Sequence, residues 1–165
     1  MSNSAPKSIG KFIHDQLTGW RVLFKEFFNI DVDTTLIKIP ESQEGFDRLI
    51  LVQKGLTLCQ IFTACAQQFN CCPYMYGGIA CGCRGKHNCC PYIYKPDDQL
   101  EETNDRINTT AYAIWIRDGA RADRELDGFS ADQLKEKGVS CTTLMEHLLF
   151  ELKYFSETGR HLDYS

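Results

Sequence analysis

Aromatic and apolar residues recur at helical spacing near the start of the chain, between residues 8 and 28. The spacing predicts one or two helices whose aromatic face packs on the core, because a stripe of this kind is typical of a helix that covers a sheet. Gly19 is a candidate break within this stretch. The residues of the stripe are Trp20, Leu23, Phe24, Phe27 and Phe28.

A second helix is predicted to begin after Thr57. Thr57 with Gln60 three residues later forms a capping-box pattern, which marks a helix N-terminus. Apolar residues then line one face, and Cys65 on that face is interpreted as a small core residue rather than a ligand. The members of the face are Leu58, Phe62, Cys65 and Phe69.

The C-terminal third is predicted to be helical. Ser130 with Gln133 and Thr143 with Glu146 are two further capping-box patterns. After the second, apolar residues recur at helical spacing until Gly159, which is placed to end the helix. These residues are Leu144, Met145, Leu148, Leu149, Leu152 and Phe155.

Three stretches favour strands. Residues 36–39 are expected to form a short strand that ends at Pro40. Residues 46–52 form a stronger one, and the unbroken apolar run at 49–52 indicates that both of its faces are covered. Residues 111–117 alternate, with Tyr112, Ile114 and Ile116 on one face.

Together these elements predict an α+β fold, in which helices pack on one face of a small, largely antiparallel sheet. At 165 residues the chain is expected to be a single domain, 1–165. Residues 1–7 are expected to form a loose tail, and residues 71–95 a Cys-rich finger or ribbon inserted between the central helix and the Tyr112 strand.

Six of the nine cysteines lie in one segment of twenty residues, Cys71–Cys90, which we call the cysteine segment. It nearly repeats itself, because Cys-Cys-Pro-Tyr-Met-Tyr at 71–76 returns as Cys-Cys-Pro-Tyr-Ile-Tyr at 89–94. The Tyr-x-Tyr pairs predict two extended arms. Between the copies, Arg84, Lys86 and His87 give a basic tip.

The candidate metal ligands are all in this segment: Cys71, Cys72, Cys81, Cys83, His87, Cys89 and Cys90. Zinc is the first hypothesis, because a structural zinc site takes four thiolate or imidazole ligands. Disulfide bonds are the second, since six cysteines allow fifteen pairings. A redox or metal-handling role is a third. Iron–sulfur ligation is disfavoured because the segment has no C-x2-C spacing.

The net charge and the apolar runs of the chain limit the classes of partner that it is expected to bind. The net charge of −4 argues against sequence-independent nucleic-acid binding, which needs a basic surface, while a protein partner is compatible with it. No secretory signal follows Met1 and no apolar run is long enough to span a bilayer, so a cytoplasmic location without membrane contact is expected. A reducing cytosol favours metal-bound over disulfide-bonded cysteines.

Three motifs carry a resemblance: AYAIWIRD at 111–118, LKEKG at 134–138 and ELKYFSETGRHLD at 151–163. With them the chain resembles a family of small uncharacterised bacterial proteins from environmental and candidate-phylum genomes. The resemblance transfers no activity. It implies that the cysteine segment is an addition to the family fold, since members have fewer cysteines at this place.

The functional expectation is a non-enzymatic binding or accessory protein, whose cysteine segment presents a partner surface. The alternatives are a redox or metal-handling protein, and an enzyme with a pocket near Arg117 and Asp118, which close a predicted strand. His147 and Glu151 are interpreted as a surface pair on a helix. Cys141 near His147 lacks an orienting third group for nucleophilic catalysis.

Overall fold

The fold is described by a computed structural model for residues 9–69, 74–75, 92–93, 106, 108–119 and 123–162. Within these residues there are four α-helices and two pairs of strands. The helices are α1 (Ile9–Phe28), α2 (Leu58–Phe69), α3 (Ala131–Glu136) and α4 (Leu144–Thr158), and the strands are β1 (Arg48–Val52), β2 (Tyr74–Met75), β3 (Tyr92–Ile93) and β4 (Tyr112–Ile116). The predicted α+β class is confirmed.

The central sheet consists of β1 and β4, paired antiparallel with Ile50 opposite Ile114. The apolar run of β1 is fully buried, which confirms that both faces of this strand are covered. Helix α4 lies on the face that carries Tyr112, since the Tyr112 hydroxyl reaches Glu146 of that helix. Helix α2 packs against α4. The sheet and these helices share one hydrophobic core.

Helix α1 covers the edge of β1 that does not pair with β4. Its Gln16 donates to the carbonyl of Asp47 and accepts from the backbone N–H of Leu49, and the indole of Trp20 donates to the carbonyl of Leu49 at 2.7 Å. An uncovered strand edge would leave these backbone groups open to other chains. Side chains of one helix therefore replace the hydrogen bonds of a missing strand.

Helix α1 is continuous from residue 9 to residue 28, so of the one or two helices expected here one is found, and the candidate break at Gly19 does not occur. Gly19 serves to make room for a buried lysine. A β-carbon at position 19 would lie 2.7 Å from the amine of Lys153, which is itself bound to Glu157 at 2.5 Å and lies 5.5 Å from the centre of the Trp20 ring.

The strand predicted at residues 36–39 is also wrong. The chain forms a short 3-10 helix at Thr34–Leu36 and continues without regular structure to Pro40. Asp33 causes this, because its carboxylate accepts hydrogen bonds from both the backbone N–H and the hydroxyl of Thr35. Ile37 is buried in the core without belonging to a strand.

The helix ends follow the sequence patterns. Reciprocal bonds join Thr57 to Gln60, and both further capping boxes form as expected, at Ser130 with Gln133 and at Thr143 with Glu146. Gly159 ends α4 with φ +68°, a left-handed conformation that favours glycine. Among the described residues no helix is long and apolar enough to cross a membrane. The single-domain assignment for 1–165 stays a prediction.

We predict that Trp20→Phe lowers the free energy of unfolding by about 1–3 kcal/mol, because the carbonyl of Leu49 loses its buried donor. Denaturant titration at neutral pH would measure the change. The matched control is Val22→Ala on the exposed face of the same helix, which should stay within about 0.5 kcal/mol of the parent. Equal stability of the two variants would contradict the role given to the indole.

Candidate functional site

The seven predicted metal ligands, Cys71 to Cys90, lie outside the described residues. Within the described residues no group of three or more His, Cys, Asp and Glu side chains could hold a metal ion. What the structure does describe is the pairing of residues 74–75 with 92–93 and the contacts of Phe69 and Arg106, which flank the cysteine segment.

The arms of the repeat pair with each other. Strands β2 and β3 are parallel, with Tyr74 opposite Tyr92 and Met75 opposite Ile93. Each residue is thus paired with its equivalent in the other copy. Parallel pairing needs a crossover of about a dozen residues or more, and sixteen residues, including Cys81 and Cys83, connect the two strands. The prediction of extended arms is confirmed at these four positions.

The chain approaches the cysteine segment through Phe69, the last residue of α2. The Phe69 ring packs edge-on against Phe155 of α4 at 4.9 Å and against His161 at 4.8 Å. Glu151 orients that histidine, because one carboxylate oxygen lies 2.5 Å from Nδ1 of His161 and the other accepts the backbone N–H of Leu162. The pairing predicted between His147 and Glu151 is therefore wrong, since Glu151 turns to His161.

Arg106 follows the cysteine segment in the sequence and contacts the core. Its guanidinium binds both carboxylate oxygens of Glu146 at 2.7 Å and also donates to the hydroxyl of Ser140 and the carbonyl of Cys141. A bidentate bond of this kind fixes both position and orientation. Phe155 and Glu146 are nine residues apart on α4, roughly 14 Å along the helix axis. Both ends of the stretch that contains the cysteine segment are thus fixed to one helix.

Glu146 is fully buried and accepts four hydrogen bonds. Two come from Arg106, one from the Tyr112 hydroxyl and one from the backbone N–H of Thr143. Burial opposes ionisation, but the bonds from Arg106 and Thr143 outweigh it, so the pKa of Glu146 lies below its usual value. Burial and the Glu146 charge raise the pKa of Tyr112 well above its usual value. With its oxygens occupied, this carboxylate acts as a structural centre.

The site considered at Arg117 and Asp118 divides into two separate groups, because the two residues form ion pairs with different partners. Arg117 points to Asp123, at 3.0 Å, and to Glu125. Asp118 instead binds Arg48 at 2.9 Å. The two side chains do not converge, and neither lines the groove beside Asp33 or the groove beside Trp115. Arg117 therefore binds the segment at 123–125, and Asp118 binds Arg48 at the start of β1.

The cysteines outside the segment have separate places. Cys65 is buried on the inner face of α2, with its sulfur 3.9 Å from the carbonyl of Leu148, which confirms its assignment to the core. Cys59 and Cys141 are exposed and not disulfide-bonded. The carbonyl of Cys141 is held by Arg106, so this residue contributes its backbone to the Glu146 centre.

Sequence patterns missed Arg106 and His161. Arg106 follows an acidic stretch without any periodic pattern, and its partner Glu146 is forty residues away. His161 lies beyond the glycine that ends α4, where helical periodicity has stopped. The sequence identified Glu146 only as a member of a capping box and not as a buried carboxylate.

We predict that Glu146→Gln lowers the free energy of unfolding by about 3–5 kcal/mol, because the partly buried Arg106 guanidinium loses its bidentate carboxylate partner. The lowered pKa of Glu146 stabilises the fold above the unfolded-state pKa of about 4.3, and this stabilisation is lost as the pH falls through the folded-state pKa. Unfolding measured between about pH 7 and pH 3 should therefore show a smaller acid-induced loss in the variant. The exposed change Glu136→Gln is the control, and a pH profile of Glu146→Gln like that of the parent would contradict the assignment.

Comparison of the chain with models of protein families, with curated proteins and with solved structures found no match. Membership of the bacterial family that the sequence resembles stays a prediction.

Proposed function

We propose that the protein is a non-enzymatic binding or accessory protein, in which the α+β core carries the cysteine segment and this segment, held by zinc or by disulfides, presents a surface to a protein partner. The observation that carries the proposal is the in-register pairing of Tyr74 with Tyr92. This pairing brings equivalent residues of the two copies next to each other. Cross-links between the copies need such proximity.

The donor chemistry fits zinc. Thiolates with an imidazole are the ligands of structural zinc sites, whereas hard cations prefer oxygen. The residues that would hold the ion are four of the seven candidates from Cys71 to Cys90. Bound zinc would cross-link the segment and contribute its binding free energy to the order of the segment.

The anchors support a presenting role. Phe69 and Arg106 fix the flanks of the segment to α4, whose inner face lies in the main core. A surface on a rigid support loses less conformational freedom on binding, which favours affinity. The core residues identified from α1, β1, α2, β4 and α4 pack together in one cluster.

The test is native mass spectrometry of the purified protein, with and without a chelator and with and without a reductant. A mass increment that the chelator removes supports a metal site. A mass lower by about two units per disulfide, restored by reductant, supports cross-linking by disulfides. Finding neither would overturn the proposal and favour the redox hypothesis, in which the thiols are free and reactive.

Paired substitutions sharpen this test. We predict that Cys72→Ser with Cys90→Ser, one change in each copy, abolishes the metal increment or removes at least one disulfide. Cys59→Ser, at an exposed position of α2, is the matched control and should leave both unchanged. Retention of the full increment in the double variant would show that these two positions are not ligands.

The partner surface needs a separate measurement. If the cysteine segment presents it, capture of a protein partner should be lost when the segment is unfolded by chelator or reductant while the core stays folded. Far-UV circular dichroism would verify the core under the same conditions. Binding that survives loss of the cross-links would place the partner surface elsewhere on the protein.

A further inference from the structure

A second surface lies away from the cysteine segment, where the first turns of α1 meet the chain before β1 and the side of β4. It is a groove of about 280 Å3. Its lining includes three aromatic residues, Phe12, Phe46 and Trp115, which we call the floor, and two exposed acidic residues, Glu44 and Asp47, which we call the rim. Phe12 is 43% exposed although it is a large apolar residue. Pockets for drug-sized ligands measure roughly 300–1,000 Å3, so this groove suits one or two side chains.

The groove is held in shape by the core. Trp115 donates its indole N–H to the carbonyl of Pro40 at 2.9 Å, which fixes the position of the ring. Phe12 stacks nearly parallel to that ring, with centroids 6.2 Å apart. At the rim the backbone N–H of Phe46 donates to the carbonyl of Gln43 at 3.0 Å, and this hydrogen bond closes a turn. The rim is thus formed before any ligand arrives.

The glycine of that turn sets the backbone position of Glu44. Gly45 has φ +82°, a left-handed conformation that a type II turn requires at its third residue. This places Glu44 at the corner of the turn. The carbonyl of the second rim residue, Asp47, is held by Gln16 of α1 at 2.9 Å.

The protein already binds a guanidinium in this way next to the groove. Arg117 lies over the Phe46 ring at 5.4 Å from its centre, and its charge is paired with Asp123 and Glu125. One aromatic face and two carboxylates therefore hold one arginine. Phe12 and Trp115 with Glu44 and Asp47 repeat this set of groups, and none of the cation–π contacts found among the described residues uses those two rings.

We propose that this groove binds an arginine side chain of a partner protein, with the guanidinium on the face of Trp115 and its charge directed to Glu44 and Asp47. Arginine fits better than lysine because its planar group stacks on aromatic faces and is weakly hydrated. The two carboxylates exclude an acidic ligand, and the size of the groove limits it to a short segment around the arginine.

The two tryptophans of the chain provide the test. The probe is a capped peptide with one central arginine, titrated into the full-length protein while the two indole N–H signals are followed by NMR. The Trp115 signal should shift saturably, with a dissociation constant in about the millimolar range for a single side chain. The buried Trp20 signal, bound to Leu49, should not move. The same peptide with neutral citrulline in place of arginine should bind at least about threefold more weakly.

The rim is tested by Glu44→Gln with Asp47→Asn, which should weaken binding of the arginine peptide by about threefold to tenfold. Asp132→Asn with Glu136→Gln on α3 makes the same change of charge at exposed positions away from the groove and should bind like the parent. Equal affinity for both peptides, or an unchanged affinity of the rim variant, would overturn the proposal. A Trp115 signal that moves with protein concentration alone would overturn it in favour of a second copy of the chain as occupant.

Discussion

The buried carboxylate of Glu146 is the interaction on which the rest of the structure depends. Its four hydrogen bonds reach in three directions: to Tyr112 on β4, to the N-terminus of its own helix, and to Arg106 where the chain returns from the cysteine segment. A buried charge is tolerated only when its partners are all in place. The strand, the helix and the returning chain must therefore be positioned together, which couples the core to the ends of the segment.

A two-stranded sheet is marginal on its own, and here helices supply what further strands would provide. Helix α1 covers the open edge of β1 through Gln16 and Trp20, and α4 covers one face. The same two helices also contact the flanks of the cysteine segment and line the groove beside Trp115. Helix α4 carries both anchors of the segment, and the start of α1 lies beside Trp115 in the arginine-sized groove.

Local patterns predicted most of the fold. The three capping boxes, the unbroken apolar run of β1 and the glycine at the end of α4 depend on bonds and burial within a few residues, so the sequence contains them directly. One error came from a distant contact and the other from a local hydrogen bond that the apolar pattern does not reveal. Gly19 signalled a helix break but accommodates Lys153, and the apolar positions around Ile37 suggested a strand, although Asp33 turns the chain and only burial of the isoleucine is retained.

By itself the sequence determined most of the elements, the capped helix ends, the α+β class and the concentration of thiols in a duplicated segment, because each is set by local propensity or composition. Only the tertiary structure decided that Glu146 is buried against Arg106, that Glu151 turns to His161 and not to His147, and that equivalent tyrosines of the repeat are paired. Each of these contacts joins residues at least ten positions apart. No periodicity encodes such contacts, since they exist only after the helices have packed on the sheet.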